Sequence, residues 1–138
     1  MIHSIFTLYS DDIRQEVGNK LTYVGTYTGS MHVTKIPSTL SKICATVFCV
    51  HDKDQPPKEI GIEVFLGDDT IANATFSPEE MPTNGNATND HPGVIQANFV
   101  FSPLEISEPK AIRVKVNADG EVHYGLPLNI IQADQAKP

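Results

Sequence analysis

The most apolar run in the chain is Ile43-Cys44-Ala45-Thr46-Val47-Phe48-Cys49-Val50. Seven of these eight residues are apolar, and the polar pairs Ser41-Lys42 and His51-Asp52 bound the run on its two sides. A strand with one wet face would alternate, whereas a short continuous apolar run is typical of a strand covered on both faces. A helix of this length would be too short. The run therefore predicts a central β-strand around which the other segments gather.

The segments on either side of this run alternate apolar and polar residues, as half-buried strands do. Only Asp11–Glu16 offers a helical signal, a capping aspartate followed by at most one turn before Val17–Lys20 turns the chain. Counting the central run, about nine strands are predicted. The other eight are residues 4–9, 21–28, 31–36, 59–66, 70–76, 95–102, 110–116 and 121–124, the last extended by Leu126, Leu128 and Ile130.

The fold class follows from the absence of sustained helical periodicity and from turn signals that recur about every ten residues. This pattern predicts an all-β protein, an antiparallel β-sandwich of the immunoglobulin or C2 type, in preference to a closed barrel. Prolines at the ends of strands favour two packed sheets with exposed edges. We expect a single domain over residues 1–132 and a short polar tail over residues 133–138.

Charge and hydropathy exclude several classes of partner. The net charge is −7 and no basic cluster is present, so neither nucleic acid nor an anionic membrane is expected to bind. No apolar run approaches the roughly 20 residues of a membrane helix. The first residues lack the basic region and cleavage site of a signal peptide. These features predict a soluble protein, cytoplasmic or part of an intracellularly assembled particle.

Cysteine and acidic residues provide few signals of chemistry. Cys44 and Cys49 lie five residues apart on one extended segment, so their side chains point to opposite faces and are expected to be free, buried thiols. Paired aspartates could bind a hard cation such as calcium. The candidates are Asp52, Asp54, Asp68 and Asp69. Because a single strand separates the two pairs, we expect them at opposite ends of the sandwich, and no metal or cofactor is predicted.

Catalytic motifs are also lacking. The histidines show no zinc-ligand spacing, and no glycine-rich phosphate loop occurs. His51-Asp52 and Asp90-His91 resemble fragments of a catalytic dyad, but adjacent residues diverge and no nucleophile motif accompanies them. A hydrolase built around His51 or His91 is therefore the least favoured hypothesis, and the protein is predicted not to be an enzyme.

The stretch from Ser77 to Gly93 is rich in Pro, Asn, Gly, Thr and acidic residues and predicts one long surface loop. Loops of this length in compact domains usually bind something or move. It is therefore the first candidate for a contact surface, although a simple flexible connection would have the same composition. The residues that we expect to make contacts are Met81, Asn84, Asn86, Asn89, Asp90 and His91.

Residues 11–27, DDIRQEVGNKLTYVGTY, resemble the recurrent opening D-x-x-R-x-E-x-x-G-K-L-S-L-I-G-V-Y of the DUF6941-like family of small bacterial and phage proteins of unknown function. The length of the chain and Leu126-Pro127-Leu128 are similar too. Asn19 within the Gly-Lys pair and Thr26 before the tyrosine depart from that pattern. The resemblance covers about the first half and implies no activity. Its charged landmarks are Arg14, Glu16 and Lys20.

Three functions remain open at this point. The first is a non-enzymatic interaction or assembly module with a protein partner or, as a homo-oligomer, with itself; it includes a structural or decoration subunit of a phage-like particle. The second is a cation-dependent ligand-binding domain of the C2 type. The third is an acidic protein that binds and inhibits a host protein. The exposed strand edges and the long loop favour the first.

Overall fold

The computed structural model describes residues 2–77 and 93–133, and within them the protein is an all-β sandwich. The predicted fold class is confirmed. No helix in these ranges is long and apolar enough to cross a membrane. The strands are β1 Ile2–Glu16, β2 Lys20–Tyr27, β3 Ser30–Val33, β4 Ser38–Leu40, β5 Ile43–His51, β6 Ile60–Leu66, β7 Asp69–Phe76, β8 Gly93–Phe101, β9 Leu104–Ile106, β10 Lys110–Ala118, β11 Glu121–Tyr124 and β12 Leu128–Gln132.

One layer of the sandwich is a four-stranded antiparallel sheet in the order β2-β1-β5-β8. The apolar run of residues 43–50 forms nearly all of β5, which lies between β1 and β8. Both of its faces are covered, and residues 43–47 are all buried. The predicted central strand is therefore confirmed.

The other layer is a six-stranded sheet in the order β3-β12-β10-β6-β7, with β11 also paired to β10. The β12–β3 pair is parallel and the remaining pairs are antiparallel. Both predicted hairpins, β6–β7 and β10–β11, are present. Asp119 and Gly120 connect the second hairpin with positive φ values of 50° and 88°, as a tight hairpin turn requires.

The hydrophobic core lies between the two sheets and takes every second residue from their strands. Strand β6 shows the alternation most clearly, because its burial switches at every residue from Ile60 to Leu66. Ile112, Val114 and Val116 of β10 point inward as the sequence predicted. The largest fully buried side chains of this core are Ile43, Ile60, Ile62, Ile106, Ile112, Leu128 and Ile130.

Some local predictions were wrong. The helical turn expected over Asp11–Glu16 is a continuation of β1, because β2 provides antiparallel partners along that segment. The third strand ends at Val33 and not at Ile36. The short strands β4 and β9 pair with each other and were not predicted as separate elements. Leu126, expected to extend the final strand, is 73% exposed and precedes β12.

Two side chains of β1 join the sheets at the bend between β11 and β12. The Tyr9 hydroxyl donates a hydrogen bond of 2.7 Å to the Leu126 carbonyl oxygen, and the Thr7 hydroxyl donates one of 2.9 Å to the same oxygen. Gly125 permits this approach, since a Cβ atom there would lie 2.4 Å from Cγ2 of Thr7. The two sheets are therefore fixed to each other by polar contacts as well as by the core.

Candidate functional site

The hairpin formed by β1 and β2 extends past its own sheet and covers part of that sheet's outer face. Ser10 is the last β1 residue paired with β5, and residues beyond it pair only with β2. The Tyr23 hydroxyl accepts a 2.9 Å hydrogen bond from Nε2 of Gln96, although β1 and β5 separate their strands in the sheet order. We call this extension, residues 11–26, the arm; it folds over the outer face.

Gly25, near the base of the arm, has a positive φ of 65°. The Asp11 side chain occupies the position that a Cβ atom would take, with its Oδ2 only 2.3 Å from that point. The Tyr27 hydroxyl donates a hydrogen bond to the Asp11 carboxylate. Burial, followed by this contact with Asp11, raises the pKa of Tyr27 to about 12.

Three residues near the arm are fully buried although they point away from the core. They are Ser10, Cys44 and Thr46, all 0% exposed. The Thr46 hydroxyl donates a 2.9 Å hydrogen bond to Oδ1 of Asn98. Burial raises the pKa of the Cys44 thiol, and on the core side it raises the pKa of Cys49 to about 11. Both cysteines are free, as predicted, and neither is in a setting that activates a thiol.

The part of this outer face that the arm leaves open carries an apolar cluster beside the exposed polar residues Ser4 and Asn98. Phe6 and Phe48 stack there with ring centroids 4.5 Å apart, and Phe6 is 49% exposed. Val50 pairs in register with Val94, which is 58% exposed. Exposed apolar surface that is contiguous in this way marks contact sites more often than scattered residues do. We define the outer apolar patch as Phe6, Leu8, Phe48, Val50 and Val94.

Strand β8 continues this patch to the edge of the sheet. It pairs with β5 on one side, and within residues 2–77 and 93–133 no strand pairs with its other side. Its nine residues contain neither a charge nor a proline. Edge strands in soluble proteins are usually protected by charges, prolines or bulges, because their free backbone groups pair readily with other strands. The edge of β8 lacks the charges and prolines.

The outer face of the six-stranded sheet is different, because it carries a polar cleft of about 720 Å³. Gly61 of β6 forms its floor, between Thr75 of β7 and Asn117 of β10, which are its register partners. The next row across the same face is Asn73, Glu63 and Lys115. We call this feature the Gly61 cleft.

A structured turn closes one end of the Gly61 cleft. The Asp119 carboxylate accepts hydrogen bonds of 3.0–3.1 Å from the backbone amides of Lys58 and Glu59. These amides lower the pKa of Asp119 below its usual value. Oδ1 of Asn117 accepts a 3.1 Å bond from the Gly120 amide, which fixes the orientation of the Asn117 side chain.

Three of the four aspartates proposed as cation ligands contact separate basic side chains. Asp52 contacts His3; Asp68 lies 3.5 Å from Arg113 and Asp69 lies 3.8 Å from Lys110. Asp52 and Asp54 precede β6 whereas Asp68 and Asp69 follow it. Among the residues the structure describes, no group of three or more His, Cys, Asp or Glu side chains is arranged to hold a metal ion.

His51 and Asp52 do not form the side-chain pair that a catalytic dyad needs. Nδ1 of His51 lies 2.8 Å from the backbone oxygen of Asp52, while the Asp52 carboxylate contacts His3. The His51 ring also packs against Gly93, where a Cβ atom would lie 2.1 Å from its Cε1. His51 therefore closes the end of the β5–β8 pair.

The charged landmarks of the resemblance lie on the arm. Glu16 and Lys20 are register partners at its tip, whereas Arg14 lies 3.8 Å from Asp12. Lys42 also binds Asp12 at 3.1 Å, and this hydrogen bond is the main reason that the pKa of Asp12 is lowered. Arg14, Glu16 and Lys20 therefore lie along the arm and form no common site.

Most of the predicted contact loop lies outside the described residues. This applies to Met81, Asn84, Asn86, Asn89, Asp90 and His91, and to all but the first residue of the predicted tail. The outer apolar patch and the Gly61 cleft were not predicted. A sequence signal existed for the second, namely a lone glycine within an otherwise alternating strand.

Comparison with protein-family models, with curated proteins and with solved structures returned no match to this chain. The similarity of residues 11–27 to the DUF6941-like opening therefore stays a prediction.

Proposed function

We propose that the protein is a non-enzymatic contact module that associates with a second copy of itself through β8 and the outer apolar patch. The observation that carries the proposal is an edge strand without charge or proline, continuous with exposed aromatic and aliphatic side chains. A subunit of a larger, phage-like particle would need a second contact surface besides this one, because a two-fold contact closes after two copies. A catalytic role has no comparable support.

Burial of the patch provides the driving force. Covering an exposed Val, Leu or Phe side chain completely is worth roughly 1.5–3 kcal/mol. Phe6 and Val94 are each about half exposed. Association must also offset the loss of translational and rotational freedom, so the patch alone would give a weak contact. Backbone hydrogen bonds along β8 would supply the rest, as in other cases of strand addition.

The sequence of β8 favours a second copy over an unrelated strand. An antiparallel pair of two β8 strands centred on Ala97 places Val94 opposite Val100 of the other copy, and Gln96 opposite Asn98. On the core side the same register places Ile95 opposite Phe99. Apolar residues then meet apolar residues and amides meet amides, which is the self-complementarity that a two-fold interface needs.

Substitution on β8 tests this proposal. Val94→Lys and Val100→Lys each place a charge in the apolar rows, and we expect both to reduce association by at least tenfold. Light scattering would then give the mass of one 15.1 kDa chain where the unmodified protein gives twice that value. Val122→Lys is the matched control, because Val122 is also exposed but lies on the six-stranded sheet. Equal loss of association in all three variants would contradict the proposal.

A further inference from the structure

Gly61 has no conformational reason to be glycine. Its φ lies outside the left-handed region, and a Cβ atom there would meet nothing closer than the Thr75 hydroxyl at 3.8 Å. A Cβ atom therefore fits at this position, and β-branched residues favour strands. Glycine in a strand interior costs stability and often marks a place where a ligand approaches the backbone closely. The missing side chain is what leaves the floor of the cleft open.

The Gly61 cleft has the size and chemistry of a binding site for a small polar molecule. Its volume of about 720 Å³ falls within the roughly 300–1,000 Å³ of such sites. Asn73 and Thr75 line one side, with Lys115 and Asn117 on the other and Glu63 between them. Neighbouring strands hold these groups about 4.8 Å apart in fixed rows. The sheet therefore presents a rigid set of hydrogen-bond donors and acceptors.

We propose that this cleft binds a neutral oligosaccharide. Amide, hydroxyl and carboxylate groups can each pair with sugar hydroxyls, which both donate and accept. Tyr124 lies opposite Lys115 in register, so both side chains share the outer face, and Tyr124 is 70% exposed. Tyr124 lies one strand beyond Lys115, which lines the cleft, and its ring offers an apolar platform with a polar tip that suits the face of a sugar ring.

Charge narrows the choice of ligand. Three carboxylates, Glu59, Glu63 and Asp119, line the cleft against the single ammonium of Lys115. This excess of negative charge disfavours phosphates and other anions. A basic peptide is the main competitor, because the same carboxylates would attract it. Binding of a basic peptide would not require the side-chain amides of Asn73 and Asn117 or the exposed ring of Tyr124.

Nuclear magnetic resonance of the ¹⁵N-labelled full chain tests the proposal. Soluble oligosaccharides of the gluco, xylo, manno and N-acetylglucosamine types serve as probes at millimolar concentration, and a lysine-rich peptide serves as the competitor. We expect at least one oligosaccharide to shift the amide signals of Gly61, Asn73 and Asn117. If only the peptide shifts these signals, or if no probe does, the proposal is overturned.

Two variants strengthen the test. Gly61→Val should abolish the shifts because its side chain occupies the floor, and the melting temperature should not fall because its Cβ atom meets no clash and valine favours a strand. Tyr124→Ala should weaken binding by more than tenfold. Gln15→Ala, on the arm, is the control and should bind normally. Undiminished binding by Gly61→Val or by Tyr124→Ala would place the ligand elsewhere. Because the cleft and β8 belong to different sheets, this result is independent of self-association.

Discussion

The two outer faces of the sandwich differ in what they expose to solvent. The outer face of the four-stranded sheet is partly buried under the arm and elsewhere exposes the outer apolar patch, which includes the Phe6–Phe48 stack. The outer face of the six-stranded sheet contains the polar Gly61 cleft, beside which Val122 and Tyr124 are exposed. In an ordinary antiparallel sandwich both outer faces would be wet. On the first face the exposed Phe6 and Val94 support the proposed contact with a second copy.

This comparison shows that the surface of a sheet is set by residues that the core does not constrain. Inward positions on both sheets are aliphatic or aromatic, as packing requires. Outward positions on β5 are Cys44, Thr46 and Phe48, whereas those on β6 are Gly61, Glu63 and Phe65. The second set includes a glycine and a carboxylate where the first is largely apolar. Each face can therefore acquire its own contact without altering the fold.

The largest expected loss of stability comes from a substitution at Gly25 that displaces the arm from the outer face. Gly25→Ala combines a left-handed φ with a clash against Asp11, so we expect the free energy of unfolding to fall by about 2–4 kcal/mol. The arm should also lift away from Cys44. In a Cys49→Ala background, urea unfolding would report the loss of stability and a thiol reagent would report the exposure of Cys44.

Gly29→Ala is the matched control for this prediction. Gly29 has a similar positive φ of 88°, but no atom lies within 4 Å of the position its Cβ would take. Only backbone strain of about 1–2 kcal/mol should result, without exposure of Cys44. Equal losses in both variants, or an unreactive Cys44 in Gly25→Ala, would show that the arm does not cover this face.

A smaller loss of stability is expected when the hydrogen bond that joins the two sheets through the Tyr9 hydroxyl is removed. Tyr9→Phe removes its hydrogen bond to the Leu126 carbonyl and should cost about 1–2 kcal/mol in urea unfolding. The Thr7 hydroxyl still donates to the same oxygen, which limits the loss. A change below the error of the measurement would mean that the core alone fixes the relative position of the sheets.

The smallest effect concerns the turn that closes the Gly61 cleft. Since the folded state lowers the pKa of Asp119, its stabilising effect is present above the usual aspartate pKa of about 3.9 and is lost as the pH falls through the lowered value. Asp119→Asn keeps an acceptor and tolerates the positive φ but cannot ionise. The unmodified protein should therefore melt at a higher temperature than this variant near neutral pH, and the difference should disappear in acid. A difference that stays constant with pH would contradict this assignment.

The sequence predicted those parts of the fold that depend on local patterns. The continuous run of β5, the alternation of β6 and the turn at Asn117–Gly120 were all recognised, because each is encoded within a few residues. The arm was missed, since the capping signal at Asp11 is local whereas the pairing of β1 with β2 past Ser10 depends on tertiary structure.

The outer apolar patch and the Gly61 cleft could not be predicted from local sequence patterns. Phe6 and Phe48 lie 42 positions apart in the chain and stack only because β1 and β5 pair in register at these residues. The Gly61 cleft needs three strands in order before its floor and sides come together. Sequence alternation identifies outward residues, but it does not show which of them become neighbours.

One measurement tests the central claim most directly: the solution mass of a charge-swapped protein by light scattering over a wide concentration range. In a two-fold pair centred on Ala97, the double variant Val94→Lys/Val100→Glu places opposite charges across the interface at both ends. We predict that it recovers the association that Val94→Lys loses, whereas Val94→Lys/Val100→Lys stays a single chain. A double variant no more associated than Val94→Lys, or an unmodified protein that is a single chain at every concentration, would contradict the account.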